Sequence, residues 1–117
     1  MKNHEKRIMV DMSATLIHHG HIRILKAAKK LGTVVVGLTV DEEIYAKKGY
    51  EPELDFDERC EILEAIRYVD EVVSTPWLID EFLLDLHRID LLVHGHDNSN
   101  PISSDRLLVL PRTEGIS

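Results

Sequence analysis

The segment His18-His19-Gly20-His21 combines residue types that can handle a phosphate group. Two imidazoles three residues apart, at the start of a helix, could both point at one phosphate, and Gly20 permits a close approach of the backbone. Phosphorus transfer requires alignment of the attacking and leaving oxygens and neutralisation of growing charge, which donor imidazoles can supply. The segment could instead be a cluster of helix-capping histidines, or part of a metal site with His94 and His96.

A second candidate for phosphate binding is the segment Pro111-Arg112-Thr113-Glu114-Gly115-Ile116-Ser117. Arg112 offers a guanidinium fork that matches the geometry of a phosphate, and Thr113 and Ser117 offer hydroxyl groups. As an isolated string, the segment could also be a tail without fixed structure.

Both segments follow predicted strands in a pattern that alternates strands and helices. Strands are predicted at 7–11, 33–39, 71–74, 90–94 and 106–110, and helices at 22–31, 41–48, 56–68 and 78–87. The run 33–39 is almost wholly apolar and β-branched, which is typical of a strand buried on both faces. The pattern predicts an α/β fold: a doubly wound, Rossmann-like, five-stranded parallel sheet with helices on both faces. Ligands bind at the carboxyl ends of the strands in such folds.

Length and composition limit the classes of protein to which the chain can belong. Its 117 residues suffice for one domain, predicted to span 1–117. A net charge of −7 argues against a nucleic-acid partner, because a nucleic-acid binder needs a basic surface. Apolar runs are far shorter than a membrane span, so no membrane association is expected. The lone Cys60 suits a reducing cytoplasm, which is the expected location.

Together, the two phosphate-binding segments resemble the signatures of the cytidylyltransferase-like nucleotidyltransferases, and most closely those of the glycerol-3-phosphate cytidylyltransferases. Further similarity lies in Phe56-Asp57-Glu58-Arg59 and in Ile66-Arg67-Tyr68-Val69-Asp70-Glu71-Val72. The resemblance implies transfer of CMP from CTP to a phosphorylated small alcohol or a phosphonate, with release of pyrophosphate. It also implies Mg²⁺ bridged by phosphates without protein ligands, and a homodimer.

The resemblance also implies roles for individual residues. His18 and His21 would stabilise the pentavalent α-phosphorus, assisted by Lys47 and Arg112. The residues expected to bind the nucleotide are Met12, Ser13, Thr15, Gly20, Gly95, Asp97, Thr113 and Ser117. The residues expected to bind the acceptor are Lys48, Arg59 and Trp77.

Plainer interpretations accompany three of these assignments. Lys47 and Lys48 could simply be solvated. Arg59 could pair along its own helix with Asp55, which lies four residues earlier. Trp77 could belong to the core.

The chain departs from the family pattern at three places, which leaves three functions open. Thr15 occupies a position that is acidic in most members, within a Met-Ser-Ala variant associated with phosphonate biosynthesis. The usual Gly-Asp-Asp-Trp is replaced by Gly95-His96-Asp97-Asn98. The family motif also continues past the position of Ser117, where this sequence stops. The candidates are a cytidylyltransferase, an adenylyltransferase of the same superfamily that uses ATP, and a nucleotide-binding domain without turnover.

Overall fold

A parallel five-stranded sheet organises the part of the chain that the computed structural model describes, residues 5–15, 17–95 and 100–110. The strands are β1 (Arg7–Met12), β2 (Thr33–Thr39), β3 (Glu71–Thr75), β4 (Leu91–His94) and β5 (Leu107–Val109). Their spatial order is β3-β2-β1-β4-β5, and every neighbouring pair is parallel. The predicted doubly wound sheet is confirmed.

Helices cover both faces of this sheet. Successive apolar side chains of β1 point to opposite faces, so both faces need a cover that buries them. The helices are α1 (His19–Lys29), α2 (Asp41–Lys48), α3 (Phe56–Glu64) and α4 (Glu81–Leu86), with a 3-10 turn at Ser104–Arg106. Ile8 and Val10 belong to a core that includes Leu25 of α1 and Leu63 of α3. Met9 faces the other way, into a second core with Leu84 of α4 and Leu92 of β4, among others.

Strand β2 is the most deeply buried element of the sheet. Every residue from Val34 to Thr39 is buried, as the β-branched run predicts for a strand covered on both faces. Gly37 leaves room for its neighbours, since a Cβ there would lie 3.1 Å from both Met9 Sδ and Thr75 Cγ2.

The structure moves three of the predicted helix boundaries by three residues or more. α1 begins at His19 rather than Ile22, because the His18 side chain caps it. α3 ends at Glu64 rather than near Tyr68, and the chain continues in turns such as the one closed by Val69 N and Ile66 O at 3.0 Å. α4 begins at Glu81 rather than Leu78, because the carboxylate of Asp80 accepts from Leu83 N at 3.0 Å.

The order of the strands creates a crevice at the carboxyl ends of β1 and β4. From β1 the sheet extends through β2 to β3 on one side, and through β4 to β5 on the other. The connections therefore reverse direction between β1 and β4, which is where open α/β sheets bind ligands. In the described part of the chain, every helix is too short or too polar to cross a membrane.

Substitution of Gly32 by alanine is expected to destabilise the fold, because the new Cβ would lie 2.2 Å from the carbonyl oxygen of Lys6. That carbonyl accepts from Thr33 N at 2.8 Å, so relieving the overlap must disturb the start of β2. We expect a loss of about 2–3 kcal/mol in the free energy of unfolding, measured by chemical denaturation.

Gly49→Ala is the matched control. Gly49 has φ +79 but nothing within 4 Å of its added Cβ, so only a backbone cost of roughly 1 kcal/mol is expected. A loss for Gly32→Ala no larger than that for Gly49→Ala would contradict the tight contact between Gly32 and Lys6.

Candidate functional site

A cavity of about 440 Å³ opens at the carboxyl ends of β1, β2 and β4. It lies at the crevice between β1 and β4 and extends to the start of α1 and to the end of α2. Its lining consists of Val10, Asp11, Met12, Ser13, His21, Ile24, Thr39, Lys48, Trp77, Leu78, His94, Gly95 and Asn100. The mixture of apolar walls with a few charged and polar groups is typical of a small-molecule site.

His18 and His21 cap the start of α1 reciprocally. Nδ1 of His18 accepts from Gly20 N at 3.0 Å, and Nδ1 of His21 accepts from His18 N at 3.1 Å. The two rings lie 4.3 Å apart, centroid to centroid. His21 lines the cavity, whereas His18 is exposed beside it. The interpretation of these histidines as helix caps is therefore correct, and it does not exclude a second role.

The caps fix the protonation pattern of both rings. A nitrogen that accepts a hydrogen bond cannot carry the proton, so the neutral form of each ring has its proton on Nε2. The second nitrogen of each imidazole is therefore a hydrogen-bond donor. One backbone arrangement thus presents two N–H donors at the start of a helix, where the helix dipole also favours an anion.

Burial keeps His21 in this neutral form. The pKa of His21 is lowered from its ordinary value of 6.5 to about 4, first by burial and second by the nearby imidazole of His18. At neutral pH the ring is accordingly a donor without a net charge. It can bind an anion through Nε2–H.

A polar cluster at the ends of β1 and β4 joins His94, which the sequence offered only as an alternative metal ligand, to Asp11 and Asn100, which the sequence analysis assigned no role. Oδ1 of Asp11 lies 2.6 Å from Nδ1 of His94, and Oδ2 of Asp11 accepts from Asn100 Nδ2 at 3.1 Å. Asn100 Oδ1 in turn accepts from Ile79 N at 2.7 Å. Because a carboxylate only accepts, Nδ1 is the protonated nitrogen of His94, which is the opposite of the pattern in His18 and His21.

One sequence signal could have identified this cluster. Asp11 and His94 are the first polar residues after apolar runs in β1 and β4, at the carboxyl ends where ligands bind. Asn100 lies outside any strand, and only the folded chain brings it to the other two.

Lys48 of α2 and Trp77 of the loop after β3 lie beside each other in the lining of the cavity. Nζ of Lys48 lies 5.9 Å from the centroid of the Trp77 ring, within range of a cation–π contact. Trp77 N donates to Oε1 of Glu43 at 3.0 Å, which ties the loop to α2. Trp77 is half-buried and lines the cavity, as does Lys48. Lys47 is exposed and does not line it.

The remaining expected nucleotide contacts fall into two groups among the described residues. Met12, Ser13 and Gly95 line the cavity. Thr15 is half-buried outside the lining, and Gly20 lies in the first turn of α1.

Several expected contacts lie outside the described residues. They are Asp97, Arg112, Thr113 and Ser117, together with His96, which the sequence offered as an alternative metal ligand. Within the described ranges, no group of three or more His, Cys, Asp or Glu side chains could hold a metal ion.

The position of Arg59 corrects the expected contact with the acceptor. Its side chain is fully buried on the inner side of α3 and does not line the cavity. The guanidinium pairs with Asp41 and donates to backbone carbonyls, so its donors are turned into the fold. The alternative ion pair with Asp55 is not formed, because the Asp55 carboxylate caps α3 through Glu58 N at 2.9 Å.

Comparison with known sequences identifies the relatives of this chain. A family model described as cytidylyltransferase-like matches residues 13–112. Glycerol-3-phosphate cytidylyltransferase of Staphylococcus aureus is 36% identical over 120 residues, covering 96% of this chain and 89% of the bacterial protein. Ethanolamine-phosphate cytidylyltransferase of Arabidopsis thaliana is 36% identical over 127 residues, covering 95% of this chain and 30% of the plant protein.

The relatives differ from this chain in length, and one solved structure shares its fold. The chain spans about a third of the length of the plant and fission yeast ethanolamine-phosphate cytidylyltransferases that it matches. A solved structure of similar fold is the lipopolysaccharide core biosynthesis protein from Thermoplasma volcanium, with a TM-score of 0.79 and 19% identity. The match covers 95% of this chain and all of that one. At this identity the likeness concerns the fold.

The lowered pKa of His21 predicts a dependence of stability on pH. Between pH 6.5 and about 4 the unfolded chain binds a proton on this ring that the folded chain does not. The contribution of His21 to stability is therefore full above pH 6.5 and is lost as the pH falls towards 4. We expect the free energy of unfolding to fall more between pH 7 and pH 5 in the wild type than in His21→Gln. Glutamine can still reach back to the N-cap amide in a capping box.

His19→Gln is the control for this comparison, since His19 is exposed on the same turn. It should retain the pH dependence of the wild type in denaturant titrations at the two pH values. An identical pH dependence in wild type and His21→Gln would contradict the neutral state assigned to His21.

Proposed function

The chain belongs to the cytidylyltransferase-like family, and we propose that it transfers CMP from CTP to a phosphorylated small alcohol or a phosphonate, with release of pyrophosphate. The observation that carries the proposal is the position of His21. Its imidazole lines the cavity at the crevice between β1 and β4, while its Nδ1 is engaged by the backbone and its Nε2–H is a donor. A triphosphate in this crevice would meet that donor at the start of α1.

The proposed reaction needs no nucleophile from the protein. An oxygen of the acceptor's phosphate or phosphonate attacks the α-phosphorus of CTP and forms a P–O bond, while the bond to the β-phosphate oxygen breaks and pyrophosphate leaves. The protein aligns the two oxygens and binds the charge that develops between them. His18 and His21 serve the second task as hydrogen-bond donors whose rings are fixed by the backbone before the substrate arrives, so they need no reorganisation during transfer.

Cationic groups would supply the remaining charge neutralisation. Lys48 lines the cavity and is proposed to contact a phosphate, with Trp77 beside it as a wall of the acceptor subsite. The exposed Lys47 and, beyond the described residues, Arg112, Thr113 and Ser117 complete the proposed set of triphosphate contacts. Mg²⁺ accompanying the nucleotide would add to the neutralisation of the phosphate charge, with no described side chain proposed to hold it. The carboxylate of Asp11 in the cavity is already engaged by His94 and Asn100.

A homodimer in the cytoplasm is the proposed working form. The lone Cys60 is consistent with a reducing compartment. Sedimentation analysis of the purified chain tests the assembly.

Pyrophosphate release tests the proposed activity. The protein is incubated with Mg²⁺, one of the four ribonucleoside triphosphates, and an acceptor such as glycerol 3-phosphate, phosphoethanolamine or a small alkylphosphonate. We expect release with CTP and at least one acceptor, and little with the other triphosphates. A preference for ATP would replace the assignment by an adenylyltransferase. Binding of CTP with no release from any pairing would point to a nucleotide-binding domain without turnover.

The capping and catalytic roles of His18 are separable by His18→Asn. Asparagine is among the best N-cap residues, so it should accept from Gly20 N while lacking the Nε2–H donor. We expect kcat to fall about 10²- to 10³-fold, the size of one lost donor to a developing charge, with little change in stability. His18→Ala removes both roles and should also lower stability by about 1 kcal/mol. Wild-type kcat in a folded His18→Asn would restrict His18 to capping.

A further inference from the structure

The guanidinium of Arg59 is surrounded by backbone carbonyls in the protein interior. Nε donates to Leu54 O at 3.1 Å, Nη1 donates to Ser13 O at 2.6 Å and to Thr39 O at 2.9 Å, and Nη2 pairs with the carboxylate of Asp41. No part of the side chain is exposed. Apolar residues of similar volume often replace a buried ion pair at no cost in stability. Stability of the fold is therefore an insufficient reason for a charge at this position.

Two of the carbonyls bound by Arg59 belong to the wall of the cavity. Ser13 follows β1 and Thr39 ends β2, and both residues line the site. The Thr39 hydroxyl adds a second link between these strand ends by donating to Met12 O at 3.3 Å. Because β1 and β2 are neighbours in the sheet, Arg59 fixes the spacing and orientation of the chain where it leaves both strands.

The peptide bond held most closely by Arg59 precedes a residue in an unfavourable conformation. Ala14 has φ 52 and is almost fully buried. A side chain with a Cβ adopts this left-handed region only where its surroundings impose it. The Ser13 carbonyl is part of the Ser13–Ala14 peptide, so the orientation of that carbonyl and the φ of Ala14 change together. The charged hydrogen bond at 2.6 Å holds both.

We propose that Arg59 is a positioning residue for the transfer reaction. It fixes the Ser13–Ala14 peptide, and so sets the direction in which the chain approaches α1 and the imidazoles of His18 and His21. Asp41 supports the arrangement from the opposite side, since its second oxygen accepts from Phe56 N at 3.2 Å and ties the guanidinium to the starts of α2 and α3. The inference rests on the proposed function. The loop conformation that Arg59 imposes at Ser13 and Ala14 can nevertheless be measured without turnover.

Kinetics of Arg59→Ala and Arg59→Lys provide the first test. We expect kcat to fall about 100-fold in Arg59→Ala, the usual consequence of a displacement near 1 Å at the reacting groups. The KM values for CTP and acceptor should change much less. Arg59→Lys should recover only part of the loss, because an ammonium lacks the planar fork that reaches several carbonyls at once. Arg23→Ala, an exposed arginine on α1, is the control and should retain wild-type kcat.

Chemical rescue distinguishes positioning from general loss of structure. Guanidinium chloride at low, non-denaturing concentration should raise the kcat of Arg59→Ala, since the deleted group leaves a space lined by carbonyls and the Asp41 carboxylate. Urea, which has the same shape without the charge, and sodium chloride at equal ionic strength should not. None of the three should raise the kcat of the wild type. Rescue by urea to the same level would contradict the role of the charge.

Amide exchange provides a readout that does not depend on activity. In Arg59→Lys, and to a smaller degree in Asp41→Asn, the amides of Ala14 and Thr15 should exchange faster than in the wild type, while amides of the β4 core should not. Unchanged exchange at both positions would overturn the inference, even if the wild type proves inactive and the proposed function fails. If Arg59→Ala does not fold, Arg59→Lys takes its place in the kinetic test.

Two kinetic results would also overturn the proposal. One is wild-type kcat in a folded Arg59→Ala. The other is an increase in the acceptor KM alone with kcat intact at saturation, which would mean that Arg59 reaches the acceptor after all.

Discussion

Strand β1 is hydrogen-bonded on both sides, to β2 and to β4, and this central position places the polar groups at the carboxyl end of β1 in the cavity. Its apolar residues face two different cores, so neither side of the strand can shift without loss of buried surface. The segment that follows β1 therefore starts at a fixed position, between the ends of β2 and β4. From that point the loop through Ser13 and Ala14 leads towards the histidines, and the Asp11 side chain meets His94.

The histidines at the start of α1 combine a structural function with a proposed chemical function on two different nitrogens of the same ring. Each Nδ1 satisfies a backbone amide that a helix start would otherwise leave without a partner. That bond forces the remaining ring proton onto Nε2, where it can serve a ligand. A serine or aspartate cap would satisfy the helix equally well but would offer no second nitrogen. The cap fixes the orientation of each ring, and the proposed ligand contact would account for the choice of histidine.

Local charge in the cavity differs from the charge of the whole chain. The chain carries −7, yet one of the groups around the start of α1 is a neutral donor imidazole, and Lys48 faces the same space. Asp11 is the acidic group in the lining, and its two oxygens are engaged by His94 and Asn100. Since electrostatic interactions are decided over a few ångströms, such an arrangement can bind a polyanion in an acidic protein.

Periodicity and residue type determined the fold class, the number of strands and the bounds of β2 and α2, because these depend on local patterns. General rules of strand connection then placed the candidate site at the carboxyl edge of the sheet. The family resemblance added the roles that are proposed for the histidines. Only the tertiary structure decided the partners of particular side chains. Arg59 was expected to meet an acceptor and instead binds carbonyls 46 and 20 residues away in sequence, and Asp11 meets Asn100 across 89 residues. A sequence lists donors and acceptors, but the distances that select among them arise only when separate segments pack together.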